Sequence, residues 1–131
     1  MTLKVFPVGD PPTLPSGDQV PLSPAYRVGT TLLLSGQLAF GSEGHLIEGD
    51  ITAQTQQCLE NIETLLVGQG VDRNAIVKTT IWLVDPTDFA AFNTVYSTFF
   101  GSHRPARSTV RSDLLLPGAL IEIEAIAHIK E

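Results

Sequence analysis

The sequence predicts an α+β fold: a two-layer sandwich in which a five- to six-stranded mixed sheet carries two helices on one face. Three observations point to it. Two stretches show helical hydrophobic periodicity, each with its own start and stop signals. The other apolar stretches alternate or are β-branched, as strands are. Two helices cannot cover both faces of so wide a sheet, so they share one face and leave the other to water or to another chain.

The 131 residues are about one domain's worth. Residues 1–131 are read as a single domain with a proline-rich arm at about 7–24 (Pro7, Pro11, Pro12, Pro15, Pro21 and Pro24). Proline fixes φ and lacks an N–H, so this arm is expected to be extended and irregular. A short strand is expected before it, near Lys4-Val5-Phe6. After the arm, Tyr26-Arg27-Val28 and Thr31–Leu38 flank Gly29-Thr30, a hairpin in which glycine supplies the positive φ of a tight turn. Gly41-Ser42-Glu43-Gly44 marks a loop.

Asp50 then caps a helix whose apolar face is Ile51, Thr55, Cys58, Ile62, Leu65 and Leu66, with Gly68 and Gly70 as its stop. Ile76–Val84 reads as a strand. A second helix starts at Asp85-Pro86-Thr87-Asp88, where Asp85 caps and Pro86 loses nothing by lacking an N–H. Phe89, Phe92, Tyr96, Phe99 and Phe100 form an aromatic stripe, read as core rather than as a cofactor pocket, and Gly101 ends it.

Strands near Ala106–Arg111 and Leu120–Ile129 close the chain. In the last one Ala119, Ile121, Ile123, Ala125, Ala127 and Ile129 share a parity and face the helices. Leu120, Glu122, Glu124, Ile126 and His128 make the opposite face, mixed in character, which fits a subunit interface with a polar site embedded in it.

Composition excludes several classes. Hydrophobic residues at 43% and charged residues at 17% argue against disorder. A net charge of −6 disfavours a nucleic-acid partner, which needs clustered Lys and Arg. No apolar run approaches the roughly 20 residues of a membrane span, and the N-terminus does not read as a signal peptide. Cys58 is the sole cysteine, so no intrachain disulfide forms and a cytoplasmic setting is expected.

Two groups of residues carry possible chemistry. Arg104, Arg107 and Arg111, beside His103, are either a solvated edge or an anion site, since a guanidinium fork pairs with a carboxylate or phosphate. Glu122 and Glu124 are either a structural pair or, with one of them facing a pocket beside Arg107, a proton shuttle. His45, His103 and His128 lack metal-ligand spacing, so no metal is expected. Cys58 reads as a small buried hydrophobe. Ser35-Gly36-Gln37 follows a strand but is not a nucleophile elbow.

In order, the chain carries Arg27-Val28-Gly29, Leu34-Ser35-Gly36-Gln37, Val77-Lys78-Thr79-Thr80, the run from Asp88-Phe89 through Asn93 and Tyr96 to Phe99-Phe100, Pro105-Ala106-Arg107-Ser108, and Ile121-Glu122-Ile123-Glu124-Ala125-Ile126-Ala127. This combination resembles the YjgF/RidA family of reactive-intermediate deaminases over roughly residues 20–131. The resemblance implies a chorismate-mutase-like fold and a homotrimer with sites between subunits. It also implies cofactor-free hydrolysis of enamine and imine intermediates to 2-keto acids and ammonia. Arg107 matches the arginine that holds the substrate carboxylate, and Glu122 the glutamate that orients or activates water. Ser35 and Asn93 match residues that line or brace the pocket.

Two positions depart from the family pattern. Leu22 stands where tyrosine is usual, and Thr109 where cysteine is frequent. Leucine removes a phenol from the substrate-binding set and leaves a greasier cleft suited to bulkier imines, unless Tyr26 supplies the phenol instead. Other readings are a non-catalytic, chaperone-like trimer that binds small carboxylic acids, a ribonuclease or translation inhibitor, and chorismate-mutase chemistry. The acidic balance argues against the ribonuclease, and the mutase rests on fold analogy alone.

Overall fold

The structure is a computed structural model that describes residues 3–14 and 16–130; Pro15 of the arm lies outside the described residues. The elements run β1 (Val5–Val8), β2 (Ala25–Val28), β3 (Thr31–Gln37), α1 (Ile51–Val67), β4 (Ile76–Leu83), α2 (Phe89–Phe100), β5 (Ala106–Arg111) and β6 (Ile121–His128). They form one six-stranded sheet in the order β1-β2-β3-β6-β4-β5. Only β4 and β5 pair in parallel, and α2 is the crossover between them. The other neighbours are antiparallel, so the sheet is mixed.

β6 is last in sequence but inserts between β3 and β4. Its alternation decides the layering. Ile121, Ile123, Ala125 and Ala127 are buried, while Glu122, Glu124 and Ile126 are only half-buried. The buried set meets α1 through Cys58, Leu59, Ile62 and Leu66, and α2 through Phe92, Phe99 and Phe100. Leu32, Leu34, Ile81 and Leu83 extend the same core along β3 and β4.

Polar pins hold the layers in register. The Asp50 carboxylate accepts from the Ala53 N–H at 3.1 Å, capping α1. Gln54 is buried in α1; its amide donates to the Gly118 carbonyl at 3.0 Å and accepts from the Leu120 N–H at 2.8 Å. One side chain thereby satisfies both backbone groups of the turn entering β6. Tyr96 of α2 shares a 2.7 Å hydroxyl bond with buried Thr79 of β4.

Several expectations are corrected. Pro7 is not irregular arm but part of β1, an edge strand, where the missing N–H faces no partner. Gly68 is the C-cap of α1, as expected, but with helical dihedrals (φ −60); the positive φ falls beyond it at Gly70 (φ 79). Asp85 caps a 3-10 turn, Pro86–Asp88, and α2 begins one residue later at Phe89. Leu22 lies in a bend before β2. Phe89 leaves the core and is 44% exposed.

The face away from the helices carries exposed Tyr26, Leu33 and Val110 among half-buried Lys78, Thr80, Trp82, Glu122 and Glu124. Among the described residues no helix is long and apolar enough to cross a membrane.

Candidate active site

Arg107 sits on β5 in register with Thr79, which is buried beneath α2. Its side chain therefore lies on the helix face of the sheet. The guanidinium donates to the Asn93 side-chain oxygen at 2.9 Å. Its central carbon stands 4.9 Å from the Tyr96 ring centroid, 5.2 Å from Phe92 and 5.8 Å from Phe89. Residues 89, 92, 93 and 96 follow helical spacing, so one stripe of α2 supplies the whole cradle. The ring faces attract the cation, and Asn93 fixes its rotation. Among the described residues no carboxylate pairs with this guanidinium. It keeps donors free for an anion.

The other basic residues do not join it. His103 bonds the Ile76 carbonyl at 2.7 Å, and Arg104 is exposed. Arg111 is exposed at the end of β5. Thr109 follows Arg107 on the same strand face, and its hydroxyl is buried without a hydrogen-bond partner among the described residues. Beside them lies a cavity of about 200 Å3 lined by Leu83, Pro86, Phe89, Thr109, Val110 and Arg111.

Glu122 belongs to the other face. It pairs with Trp82 of β4, which pairs with Val110 of β5, so these three share an outward row. Arg107 is three positions from Val110, an odd offset, and so points the opposite way. The expectation that Glu122 faces a pocket beside Arg107 fails within one chain. The cause is topological, because alternation on β5 and β6 puts the guanidinium on the helix side and the carboxylate on the open side.

Around Glu122 a second cluster forms. The register of β3 against β6 breaks between Leu34 and Gln37, which leaves Ser35 and Gly36 in an irregular stretch. The Glu122 carboxylate lies over Gly36; a Cβ there would stand 2.9 Å from Cδ and strike the carboxylate oxygen. The Ser35 hydroxyl donates to the Ser23 carbonyl at 2.6 Å, and the Ser35 N–H to the Pro24 carbonyl at 2.9 Å. Ser35 thus ties the segment after Leu22, itself 40% exposed, to the strand beside Glu122. Burial pushes the Glu122 pKa up, and the neighbouring Glu124 charge adds to the rise.

Sequence reasoning missed the cradle rings, because an aromatic stripe at helical spacing reads as core. It also missed Gly36, whose signal was the Ser-Gly-Gln motif itself. Cys58 is buried as expected; burial, then the Glu122 charge, pushes its pKa up to about 12, so it is no nucleophile at neutral pH. No three His, Cys, Asp or Glu side chains come together as a metal set among the described residues.

A mixed six-stranded sheet under two helices, with an oriented arginine on one face and a half-buried glutamate on the other, defines a small α+β protein of the two-layer class. The chain belongs to the YjgF/RidA family: the family model described as endoribonuclease L-PSP matches residues 17–129. Among its relatives, the mouse 2-iminobutanoate/2-iminopropanoate deaminase is 39% identical over 108 residues, 82% of this chain and 80% of the mouse protein. A RutC family protein of Pyrococcus horikoshii is 42% identical over 109 residues, 82% and 86% of the two chains. Among solved structures, the Rid-family protein YyfA from Yersinia pestis superposes with a TM-score of 0.85 at 34% identity, covering 96% of this chain and all (100%) of that one. The YjgF gene product of E. coli gives 0.79 at 34%, covering 84% and 89%.

Proposed function

We propose that this protein is a deaminase that hydrolyses 2-imino acids, and the enamines in equilibrium with them, to 2-keto acids and ammonia. We place its sites between the copies of a homotrimer. The observation that carries this reading is the Arg107 guanidinium, oriented by Asn93 and three rings yet unpaired by any carboxylate among the described residues. Such a group takes a carboxylate through two parallel N–H bonds and so fixes the substrate's orientation.

Hydrolysis of the C=N bond needs a group that takes a proton from water and later returns one to nitrogen. Glu122, contributed by a neighbouring copy, serves both steps. As carboxylate it accepts a proton while the water oxygen bonds to the imine carbon and the protonated nitrogen takes the C=N electron pair. As carboxylic acid it returns that proton to the amine. The C–N bond then breaks, ammonia leaves and the hydroxyl proton is lost as C=O forms. A pKa raised toward neutrality suits a carboxyl that alternates between these states. The mouse and human relatives, both 2-iminobutanoate/2-iminopropanoate deaminases by name, support the same activity.

Because the two groups lie on opposite faces of one sheet, complementation tests the reading. Arg107→Ala and Glu122→Gln chains are each expected to be inactive alone. Unfolded and refolded together in equal amounts, they are expected to recover about a quarter of wild-type activity, since about one interface in four then carries both intact groups. Light scattering should give about three times the mass of the chain. A fully active monomer, or no recovery in the mixture, overturns the shared site. A wild-type protein that leaves imine hydrolysis at its spontaneous rate overturns the deaminase.

A further inference from the structure

We infer that the cavity beside Arg107 receives the substrate side chain and selects 2-imino acids with bulky apolar side chains, of leucine, methionine or phenylalanine size. This rests on the deaminase reading above. The cavity is tied to the clamp at two points. Phe89 both lines it and stands 5.8 Å from the Arg107 guanidinium, and Thr109 lines it two residues along the same face of β5. An imino acid held by its carboxylate at Arg107 therefore has this space next to its α-substituent.

Size argues for a large occupant. The cavity holds about 200 Å3. At roughly 30 Å3 per water-sized group, that is room for about six or seven heavy atoms. The imine of alanine brings one carbon beyond the reacting centre, that of leucine four, that of phenylalanine seven. A small imine leaves most of the space to water lying against Leu83, Pro86 and Phe89. A large one displaces that water.

Polarity argues for an apolar occupant. Leu83, Pro86 and Phe89 supply the apolar walls on the Arg107 side, and the Thr109 hydroxyl is buried away from solvent. The charged member, Arg111, is exposed at the strand end. These walls come from β4, β5 and the start of α2. Leu22, the position the sequence marked for specificity, is not among the lining residues.

The test is a series of 2-imino acids generated in situ by an L-amino-acid oxidase, with kcat/KM compared for the wild-type protein and for Pro86→Phe. Pro86 is exposed and opens a short turn, so the added ring fills the cavity from its rim; a thermal melt confirms folding. The leucine-derived imine is expected to exceed the alanine-derived imine by tenfold or more, and Pro86→Phe to shrink that ratio at least tenfold. A wild-type preference for the alanine-derived imine, or for the dicarboxylic imines of aspartate or glutamate that Arg111 would favour, overturns the apolar subsite. So does a ratio unchanged by Pro86→Phe. In each of those outcomes hydrolysis persists, whereas the absence of any hydrolysis above the spontaneous rate removes the deaminase reading itself.

Discussion

The Glu122 carboxylate rests on Gly36, across the one stretch where β3 and β6 fall out of register. A regular ladder would set a side chain there. The irregular stretch and the missing Cβ together let a charged group settle, half-buried, against backbone, and that burial is what raises its pKa. The glycine in Ser35-Gly36-Gln37 is thus required by space; it is not a positive-φ glycine.

Gly36→Ala is therefore expected to displace the carboxylate without unfolding the sheet. A shift of about 1 Å in a catalytic group can cost about 100-fold in rate. The expected outcome is a loss of kcat/KM of at least tenfold with a circular dichroism spectrum like wild type. Unchanged activity would show that Glu122 does not act from this position.

Arg107→Ala is expected to abolish most imine hydrolysis, and Arg107→Lys to restore only part. An ammonium neither offers two parallel N–H bonds nor stacks on Phe92 and Tyr96 as a guanidinium does. Steady-state kinetics with each variant decides it, and wild-type kcat/KM in Arg107→Ala removes the clamp.

Glu122 and Glu124 should separate in their pH behaviour. Glu122→Gln should lose far more activity than Glu124→Gln. Glu124→Gln removes a negative neighbour that helps raise the Glu122 pKa, so the acid limb of the kcat/KM profile should move to lower pH. Stability follows the same sign. A carboxyl with a folded pKa above its unfolded value holds its proton more tightly when folded, so its contribution is fully present at low pH and is lost as pH rises through the folded pKa. Glu122→Gln should thus melt no lower than wild type at neutral pH, and the difference should vanish below pH 4.5, the ordinary glutamate value. A Glu122→Gln protein that melts lower only at neutral pH would contradict this.

Thr55 offers a test of the core. It is fully buried in α1, and its hydroxyl has no hydrogen-bond partner among the described residues. Thr55→Val keeps the branched shape and removes the unsatisfied group, with little change in helix propensity. A gain of roughly 1 kcal/mol is expected, read as a higher urea midpoint at unchanged slope. A lower midpoint would show that the hydroxyl is satisfied after all.

Periodicity made most of the fold legible. The parity of Ile121, Ile123, Ala125 and Ala127 gave the buried face of β6, and Asp50 marked the start of α1, because both signals are local. What was not legible depends on partners distant in sequence. That β6 lies between β3 and β4 is a pairing choice, and with it goes the separation of Arg107 from Glu122. Gln54 reads as a surface residue until the turn at Gly118 and Leu120 arrives to occupy both ends of its amide. Phe89 reads as core until β5 brings a cation beneath α2. Motif order named Arg107, Glu122, Ser35 and Asn93 together, but it carries no information about which face each one takes.

β5 lies at the margin of the sheet and pairs on one side only, with β4. On such a strand every second amide N–H points away from its neighbour and finds no strand to receive it. In an isolated chain, deuterium would therefore enter β5 in a two-residue beat, one amide fast and the next slow. The Arg107 side chain above that beat stays held by rings and an amide from α2. The order of this guanidinium is borrowed from the helix across the layer, not from the strand that bears the residue.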